Sequence, residues 1–365
     1  MHTTVAIIGG GLAGLHAARL LAAANIALEL FEARDRPGGR ILSADHGGAP
    51  SPDGFDLGPS WFWPGMQPEL AALTRELGLS SFPQHVEGDV LFERTARGPV
   101  QRAPSIRQEP ASMRLEGGTG ALVAALAAGL GPERIHLGCR LTRLTLGPEG
   151  LDLAISDPES TIDRVRAEQA ILALPPRLAA ATISFTPALD IATARRWEAT
   201  ATWMAPHAKL VALYDRPFWR QQGLSGGARS MVGPLVEIHD ATTRSGSAAL
   251  FGFVGVDAAQ RAFLGEHALR RACVAQLARL FGDEAARPRA ALLKDWAADP
   301  LTSTDADRVA TGHPVPTPGP WLTGPWTDRL SLGGSETSAS EPGYLAGAID
   351  AAERAVDEVR GRLGR

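Results

Sequence analysis

The sequence predicts an α/β protein with two domains whose segments alternate along the chain. Near the start, an apolar strand runs through a glycine turn into an Ala/Leu-rich helix, as in a doubly wound domain. After residue 116 a second glycine cluster opens another Ala/Leu-rich helix, and residues 134–146 then alternate like a strand. With 365 residues, 44% of them apolar and 21% charged, the chain can bury two joined cores.

The first motif occupies residues 5–15 and has the glycine spacing of a Rossmann-type nucleotide site. Gly9 permits a tight turn, Gly11 lets a phosphate approach the backbone, and Gly14 allows the helix to pack closely on the strand. The N-terminus of the helix adds free N–H groups and the positive end of its dipole. These elements predict a pyrophosphate-binding turn.

The second strand and the segment that follows it indicate which nucleotide binds. Residues 26–31 read as a strand that delivers Glu32 to the position expected to bind the adenosine ribose. From there Glu32-Ala-Arg-Asp-Arg-Pro-Gly-Gly-Arg40 resembles the signature of flavin-dependent oxidases of the amine oxidase superfamily. The stretch Leu332–Ala348 is similar to the closing motif of that family. The resemblance covers most of the chain, with its motifs in the family's order, and implies FAD as the cofactor.

The resemblance also implies which residues hold FAD. It implies non-covalent binding, because the cysteine that some members use to bind flavin covalently is absent. The expected FAD-binding residues are Gly9, Gly11, Leu12, Ala13, Gly14, Glu32, Ala33, Arg34, Gly38, Gly39, Arg40, Gly58, Pro59, Ser60, Trp61, Leu141, Trp296, Gly334, Ser335, Glu336, Gly343, Tyr344 and Leu345.

The order of the motifs predicts that the two domains are interleaved. We expect a Rossmann-type FAD-binding domain of non-contiguous segments, residues 1–63, 111–176 and 321–365. A substrate domain of mixed sheet and helices would take residues 64–110 and 177–320. Residues 312–326, rich in proline and tryptophan, predict a rigid return loop rather than a linker.

Composition excludes several classes of function. A net charge of −4 gives no basic surface for nucleic acid or an anionic membrane, and no apolar run is long enough to span a bilayer. No signal peptide precedes the first strand, and Cys139 and Cys273 lie outside any CxxC pattern, so we expect a cytoplasmic protein without disulfides. The histidines lack the spacing of metal ligands. The stretch Gly223–Gly227 lacks the GxSxG spacing of a nucleophile elbow and predicts a glycine loop.

The basic residues single out two lysines. The chain has 36 Lys and Arg residues, and only Lys209 and Lys294 are lysine. A lysine pKa can be lowered by burial, so a site that needs a partly neutral amine cannot use arginine. The segment Pro206–Trp219 resembles the family strand whose lysine reaches the flavin. This resemblance implies that Lys209 holds a water against flavin N5 and promotes the reaction with oxygen.

Tyr344 is the second expected catalytic residue. By the resemblance, it is one wall of an aromatic cage that orients an amine in front of the flavin. The family's tryptophan element is matched at Trp296, but residues 301–307 lack the second cage aromatic that usually follows. We therefore expect a more open and polar site, with Asp305 or Asp307 either contacting substrate or capping a turn.

The sequence thus predicts an amine oxidase that transfers a hydride from the amine carbon to flavin N5 and is reoxidised by oxygen to give peroxide. One alternative is a flavin dehydrogenase or desaturase acting on a C–C bond, which the incomplete cage favours and Lys209 disfavours. Another is a flavin-binding partner or redox sensor without turnover. The sequence does not identify the amine, the physiological electron acceptor or the oligomeric state.

Overall fold

The computed structural model describes residues 1–49, 51, 54–106, 108–157, 162, 164–309 and 312–364. Its strands are β1 (His2–Ile8), β2 (Leu28–Phe31), β3 (Ser43–Ala44), β4 (Phe55–Asp56), β5 (Ser81–Pro83), β6 (Asp89–Glu93), β7 (Gln101–Pro104), β8 (Met113–Leu115), β9 (Ile135–His136), β10 (Arg140–Gly147), β11 (Gly150–Ser156), β12 (Arg164–Leu172), β13 (Ser184–Thr186), β14 (Ala208–Tyr214), β15 (Leu224–Ser230), β16 (Leu235–Asp240), β17 (Ala248–Val254), β18 (Ala290–Asp295) and β19 (Leu330–Leu332). Its α-helices are α1 (Leu12–Ala23), α2 (Pro68–Glu76), α3 (Gly120–Ala128), α4 (Pro176–Thr182), α5 (Ile191–Ala199), α6 (Phe218–Gln221), α7 (Ala258–Leu264), α8 (Glu266–Phe281) and α9 (Leu345–Leu363). Short 3₁₀ turns cover Pro132–Arg134, Asp283–Ala286, Asp305–Asp307, Gly324–Trp326 and Ser335–Thr337.

The first sheet has the strand order β13-β10-β11-β12-β1-β2-β9, with β19 paired to the end of β12. Strands β1, β2, β9, β12 and β19 run parallel. The apolar end of β1 is buried on both faces, because Val5 and Ile7 pack towards α1 and α9 while Ala6 and Ile8 face the opposite core. The carboxyl ends of these parallel strands meet at one edge of the sheet, where ligands bind in open α/β folds.

The second sheet has the order β18-β14-β17-β16-β15-β6-β7. Helix α8 covers one face, and its Cys273 and Leu277 are fully buried there. Strand β14 is buried on both faces: Leu210 faces the core under α8, whereas Val211 packs with Phe55 of β4. Because side chains alternate along a strand, Lys209 shares the face of Val211 and points towards the first sheet.

The division into an FAD-binding and a substrate domain stays a proposal: the two large sheets largely follow it, whereas the small β5-β8 sheet joins strands from both proposed domains. The first sheet is drawn from the proposed FAD-binding segments, except that β13, within residues 177–320, pairs with β10. The second sheet is drawn from the proposed substrate segments. Within the described residues, none of the helices combines the length and the apolar character needed to cross a bilayer.

Two local expectations differ from the structure. The single strand expected over residues 134–146 is split into β9 and β10, because the chain turns at Gly138, whose φ is +72°. The glycine loop expected at Gly223–Gly227 is wrong, since β15 begins at Leu224. A Cβ on Gly226 would lie 2.9 Å from the indole nitrogen of Trp219, so this glycine allows a tryptophan to pack on the strand.

Candidate active site

One elongated cavity lies between the two sheets and gathers most of the expected site residues. Lys209, Tyr344 and the expected FAD-binding residues line it, except for Gly14 and Glu336. Its wall begins at the glycine turn after β1 and ends beside β14 and the start of α9. Residues far apart in sequence therefore form one continuous surface.

The glycine turn has the shape that a pyrophosphate needs. Gly9 has a φ of +106°, and a Cβ on Gly14 would lie 1.8 Å from the Gly9 carbonyl oxygen, so both are required by the packing of the turn and α1. Gly11 differs, because a Cβ there would make only an ordinary contact with the Gly38 carbonyl oxygen at 3.9 Å, and the residue lines the cavity. Among the residues that the structure describes, no side chain forms a capping hydrogen bond at the N-terminus of α1. The N–H groups there and the cavity beside them fit a phosphate group.

Glu32 is held in place by the backbone on both sides of its carboxylate. Its Oε2 accepts a hydrogen bond from Gly10 N at 2.7 Å, and its Oε1 accepts one from Arg34 N at 2.8 Å. The residue is buried but lines the cavity. A carboxylate accepts up to about four hydrogen bonds, so both oxygens keep capacity for ribose hydroxyls.

Arg40 is positioned by the closing motif from the other end of the chain. Its guanidinium donates to both carboxylate oxygens of Glu336, at 2.6 and 3.1 Å, and to Ser335 Oγ at 3.1 Å. The Glu336 side chain is fully buried, whereas Arg40 remains 26% exposed at the cavity wall. Glu336 therefore orients the arginine instead of facing the cavity itself.

Lys209 is a buried cation beside the glycine-aromatic loop. Its Nζ donates to Ser60 Oγ at 2.7 Å and to the Gly58 carbonyl at 3.1 Å, and it lies 4.0 Å from the centre of the Phe251 ring. Burial lowers the pKa of Lys209 to about 7, with Asp56 raising the pKa and Arg114 lowering it as smaller contributions. The amine is therefore close to the balance between its charged and neutral forms at neutral pH.

The aromatic wall around Lys209 is fixed by specific contacts. Trp296 donates from Nε1 to the Leu57 carbonyl at 3.1 Å. Trp61 donates from Nε1 to Gln84 at 2.8 Å and packs 5.3 Å from Phe251. The two tryptophans therefore present fixed ring surfaces to the cavity.

Two aromatic residues from other segments, Trp203 and His313, lie near Tyr344. Trp203 lines the same cavity as Tyr344, and Gly343, with a φ of +83°, would place a Cβ only 2.6 Å from Trp203 Cβ. The His313 ring lies 4.5 Å from the ring of Trp203 and 4.7 Å from that of Tyr344. Adjacent Met204 has a φ of +62°, a strained conformation for a non-glycine residue. The region around Tyr344 therefore contains two aromatic rings that were not expected from the sequence, and the open, polar character of the site stays a prediction.

Asp305 and Asp307 lie in a short 3₁₀ turn outside the main cavity. Asp307 is buried and accepts from Arg177 at 2.6 Å and from Thr202 N at 2.9 Å. It also accepts from the backbone N–H of Thr304 at 3.1 Å, which is part of a capping box. The side chain of Asp305 is 93% exposed. Neither residue lines the main cavity. Asp307 therefore caps a turn, which was the simpler of the two expectations.

Several cavity residues were not expected from the sequence. They include Trp203, Met204 and His207, just before β14, and Gln67, which donates to Glu341 at 2.6 Å. Burial, with a smaller contribution from Arg261, lowers the pKa of His207, so its ring is neutral at neutral pH. Trp203 and Met204 come just before the segment that contains Lys209. This closeness in sequence to Lys209 was the one feature that could have predicted them as cavity residues.

A Rossmann-type domain whose cavity joins a glycine turn that fits a phosphate, the carboxylate of Glu32 and a buried lysine is typical of an FAD-dependent oxidoreductase. The model for flavin containing amine oxidoreductases matches residues 105–360, and that for the NAD(P)-binding Rossmann-like domain matches residues 7–77. The chain belongs to the flavin-containing amine oxidoreductase family, and its cofactor is FAD. Of the two cysteines, Cys273 lies in the core under α8, and Cys139 lines the cavity beside Leu141.

Several known proteins of similar sequence or structure carry amine oxidase names, and one relative, from Synechocystis, is named an L-amino acid dehydrogenase, 29% identical over 72% of this chain and 54% of that protein. The chain is 25% identical to a Dictyostelium discoideum protein that carries the name flavin-containing monoamine oxidase A, over 98% of both chains. It is 25% identical to the putrescine oxidase of Kocuria rosea, over 78% of this chain and 80% of that protein. The solved structure of cyclohexylamine oxidase from Brevibacterium oxydans matches all of both chains with a TM-score of 0.79 at 21% identity, which shows a shared fold.

Proposed function

We propose that the chain is an amine oxidase that takes a hydride from the carbon next to an amine and uses dioxygen as the electron acceptor. When bound, FAD supplies the hydride acceptor at N5 and passes both electrons to dioxygen, giving hydrogen peroxide. The oxidised substrate is an imine, which takes up water to give a carbonyl compound and ammonia. The observation that carries this proposal is that Lys209 and Tyr344 line one cavity with most of the residues expected to bind FAD.

Lys209 would supply the positive charge that reaction with dioxygen requires. Its Nζ is fixed by Ser60 and Gly58, and neither partner carries a charge that would neutralise it. Electron transfer to dioxygen develops negative charge, which a preorganised cation in a water-poor site stabilises strongly. With a pKa of about 7, the amine can also give up or take up a proton near neutral pH.

Tyr344 and Trp203 would orient the amine. Both rings line the cavity, and His313 supports them from the outside. Aromatic faces hold an amine at a defined distance and attract its cationic form. Neutral His207 completes this end of the wall without adding a positive charge. The hydride mechanism requires only a deprotonated amine in the correct orientation, so no side-chain base is assigned.

Peroxide production separates this proposal from its alternatives. The purified holoprotein would be mixed in air with a panel of primary amines, diamines and amino acids, and separately with apolar polyenes. We expect peroxide with at least one amine, in an amount equal to the carbonyl product. Reduction by a polyene without amine turnover would instead favour the C–C desaturase. No reduction of the flavin by any compound would favour a flavin-binding protein without turnover.

A further inference from the structure

The second lysine of the chain belongs to a buried ion cluster at the cofactor cavity. Lys294 Nζ donates to Asp299 Oδ2 at 2.7 Å and lies 4.5 Å from the centre of the Trp296 ring. The same Asp299 oxygen accepts from Arg34 Nη1 at 2.9 Å. The side chains of Asp299 and Arg34 are only 6% and 11% exposed. One carboxylate therefore joins a cation of the second sheet to a cation of the Rossmann-type domain.

Asp299 also shapes the turn that follows it. Its Oδ1 accepts from Leu301 N at 3.0 Å, and its carbonyl accepts from Thr302 N at 3.0 Å. Thr302 Oγ1 in turn accepts from Arg34 Nη2 at 2.8 Å. Arg34 is thus held at two points, by the side chain of Asp299 and by the turn that Asp299 organises.

This turn and Arg34 form part of the cavity wall. Pro300, Leu301 and Thr302 line the cavity together with Arg34. Arg34 is two residues from Glu32 and donates its backbone N–H to that carboxylate. The ion cluster therefore lies at the end of the cavity that the ribose carboxylate assigns to the adenosine part of FAD.

The geometry points to Lys294 as a positioning residue for FAD: through Asp299, it holds Arg34 in the cavity wall at the adenosine end of the cofactor. Without Lys294, Asp299 retains a single cationic partner, and the arginine loses the fixed geometry of its acceptor. Breaking one side of a buried charge network weakens the remaining contacts, because the network acts as a unit. The proposal requires that FAD binds and is independent of which substrate is oxidised.

The test is cofactor affinity, measured on apoprotein by titration with FAD and, separately, with ADP, which carries only the adenosine diphosphate part. For Lys294→Met and Asp299→Asn we expect the Kd of both ligands to rise by roughly 10- to 100-fold, the loss associated with one charge-assisted hydrogen bond. Arg289→Met is the matched control, because Arg289 precedes the same strand and pairs with Asp215 on the surface. This control should leave both Kd values unchanged.

A double-mutant cycle separates positioning from a general loss of stability. If Lys294 acts through Arg34, ADP should bind Arg34→Met/Lys294→Met no more weakly than it binds Arg34→Met alone. Thermal unfolding of each apoprotein reports the folded fraction, so that every Kd refers to folded protein. Independent, multiplicative effects of the two substitutions would overturn the proposal, as would a Kd for Lys294→Met within about twofold of wild type. Amine turnover does not enter either measurement, so loss of the proposed activity would leave this result intact.

Discussion

Lys209 and Lys294, the two lysines of the chain, lie directly opposite each other on the antiparallel strands β14 and β18. Opposed residues in such a pair project to the same face of the sheet. Their surroundings nevertheless differ, since Lys294 forms an ion pair with Asp299 whereas Lys209 donates only to the uncharged oxygens of Ser60 and Gly58. The two lysines are the same residue type, but their charges have different surroundings in the fold: Lys294 has a carboxylate partner, and Lys209 has none among the hydrogen-bond partners that the structure describes.

Replacing Lys209 tests its role in the reaction with oxygen. Lys209→Met should retain FAD but slow reoxidation of the reduced enzyme by roughly 10²-fold, since it removes one preorganised charge, and should change anaerobic reduction much less. Stopped-flow mixing of the reduced enzyme with oxygenated buffer measures this rate. Lys294→Met is the matched variant and should reoxidise at the wild-type rate once saturated with FAD. Equal reoxidation of Lys209→Met and wild type would refute the assignment.

Burial of Lys209 also predicts how stability depends on pH. The pKa of Lys209 is about 7 in the fold, against about 10.4 for an unperturbed lysine in the unfolded chain. Between these values the unfolded chain binds the additional proton, so the contribution of Lys209 to stability rises with pH across this window. We therefore expect Lys209→Met apoprotein to gain most in unfolding free energy relative to wild type below about pH 7. This gain should shrink towards pH 10, as measured by chemical denaturation. A difference that stays constant with pH would contradict the lowered pKa.

The cofactor half of the site follows largely from sequence, because glycine positions report backbone geometry directly. Gly9 and Gly14 must be glycine because a side chain at either position would clash with nearby backbone atoms. Their spacing in the sequence therefore predicts the shape of the turn. Glu32 could be placed because a strand of known direction ends just before it. The role of Glu336 could not be derived, since its contact with Arg40 joins residues almost 300 positions apart. The prediction placed it among the FAD-binding residues, while the structure shows it behind one of them.

Glu32 should dominate retention of the adenosine part of FAD. Glu32→Ala removes a charged acceptor from the ribose position, worth about 1.5–3 kcal/mol, so Kd for FAD should rise by roughly 10- to 100-fold. Fluorescence titration of the apoprotein measures this change. Asp35→Ala is the control, because Asp35 lies in the same loop but is exposed. Unchanged FAD affinity in Glu32→Ala would remove the carboxylate from the binding site.

Tyr344 and Trp203 should act on the substrate and not on the cofactor. Tyr344→Ala and Trp203→Ala each remove one ring, worth about 0.5–2 kcal/mol, and should slow anaerobic reduction by an amine by roughly 2- to 30-fold while FAD stays bound. Trp203→Ala keeps the backbone contacts of that residue to Arg40 and Glu336, which limits its effect to the ring. Tyr344→Phe should reduce at close to the wild-type rate. Wild-type kinetics in both alanine variants would exclude the proposed cage.

The substrate half of the site was harder to predict, because its walls come from segments with no fixed spacing. The family pattern places the second aromatic after Trp296, whereas Trp203 lines the cavity from a position before β14. Its position depends on the strained φ of Met204 and on close packing against Gly343, neither of which periodicity reveals. Asp307 was considered for substrate binding because polar turn residues are compatible with either role. Its contacts with Arg177 and Thr202 became visible only in three dimensions.

The most direct measurement is anaerobic mixing of the purified holoenzyme with a panel of amines, followed by addition of oxygen. Absorbance of the flavin band follows reduction, and a peroxidase-coupled assay follows the peroxide formed on reoxidation. We expect at least one amine to bleach the band fully, and oxygen then to restore it with one equivalent of peroxide per flavin. A flavin band that no amine bleaches, or reoxidation that yields no peroxide, would contradict the assignment of this chain as an amine oxidase.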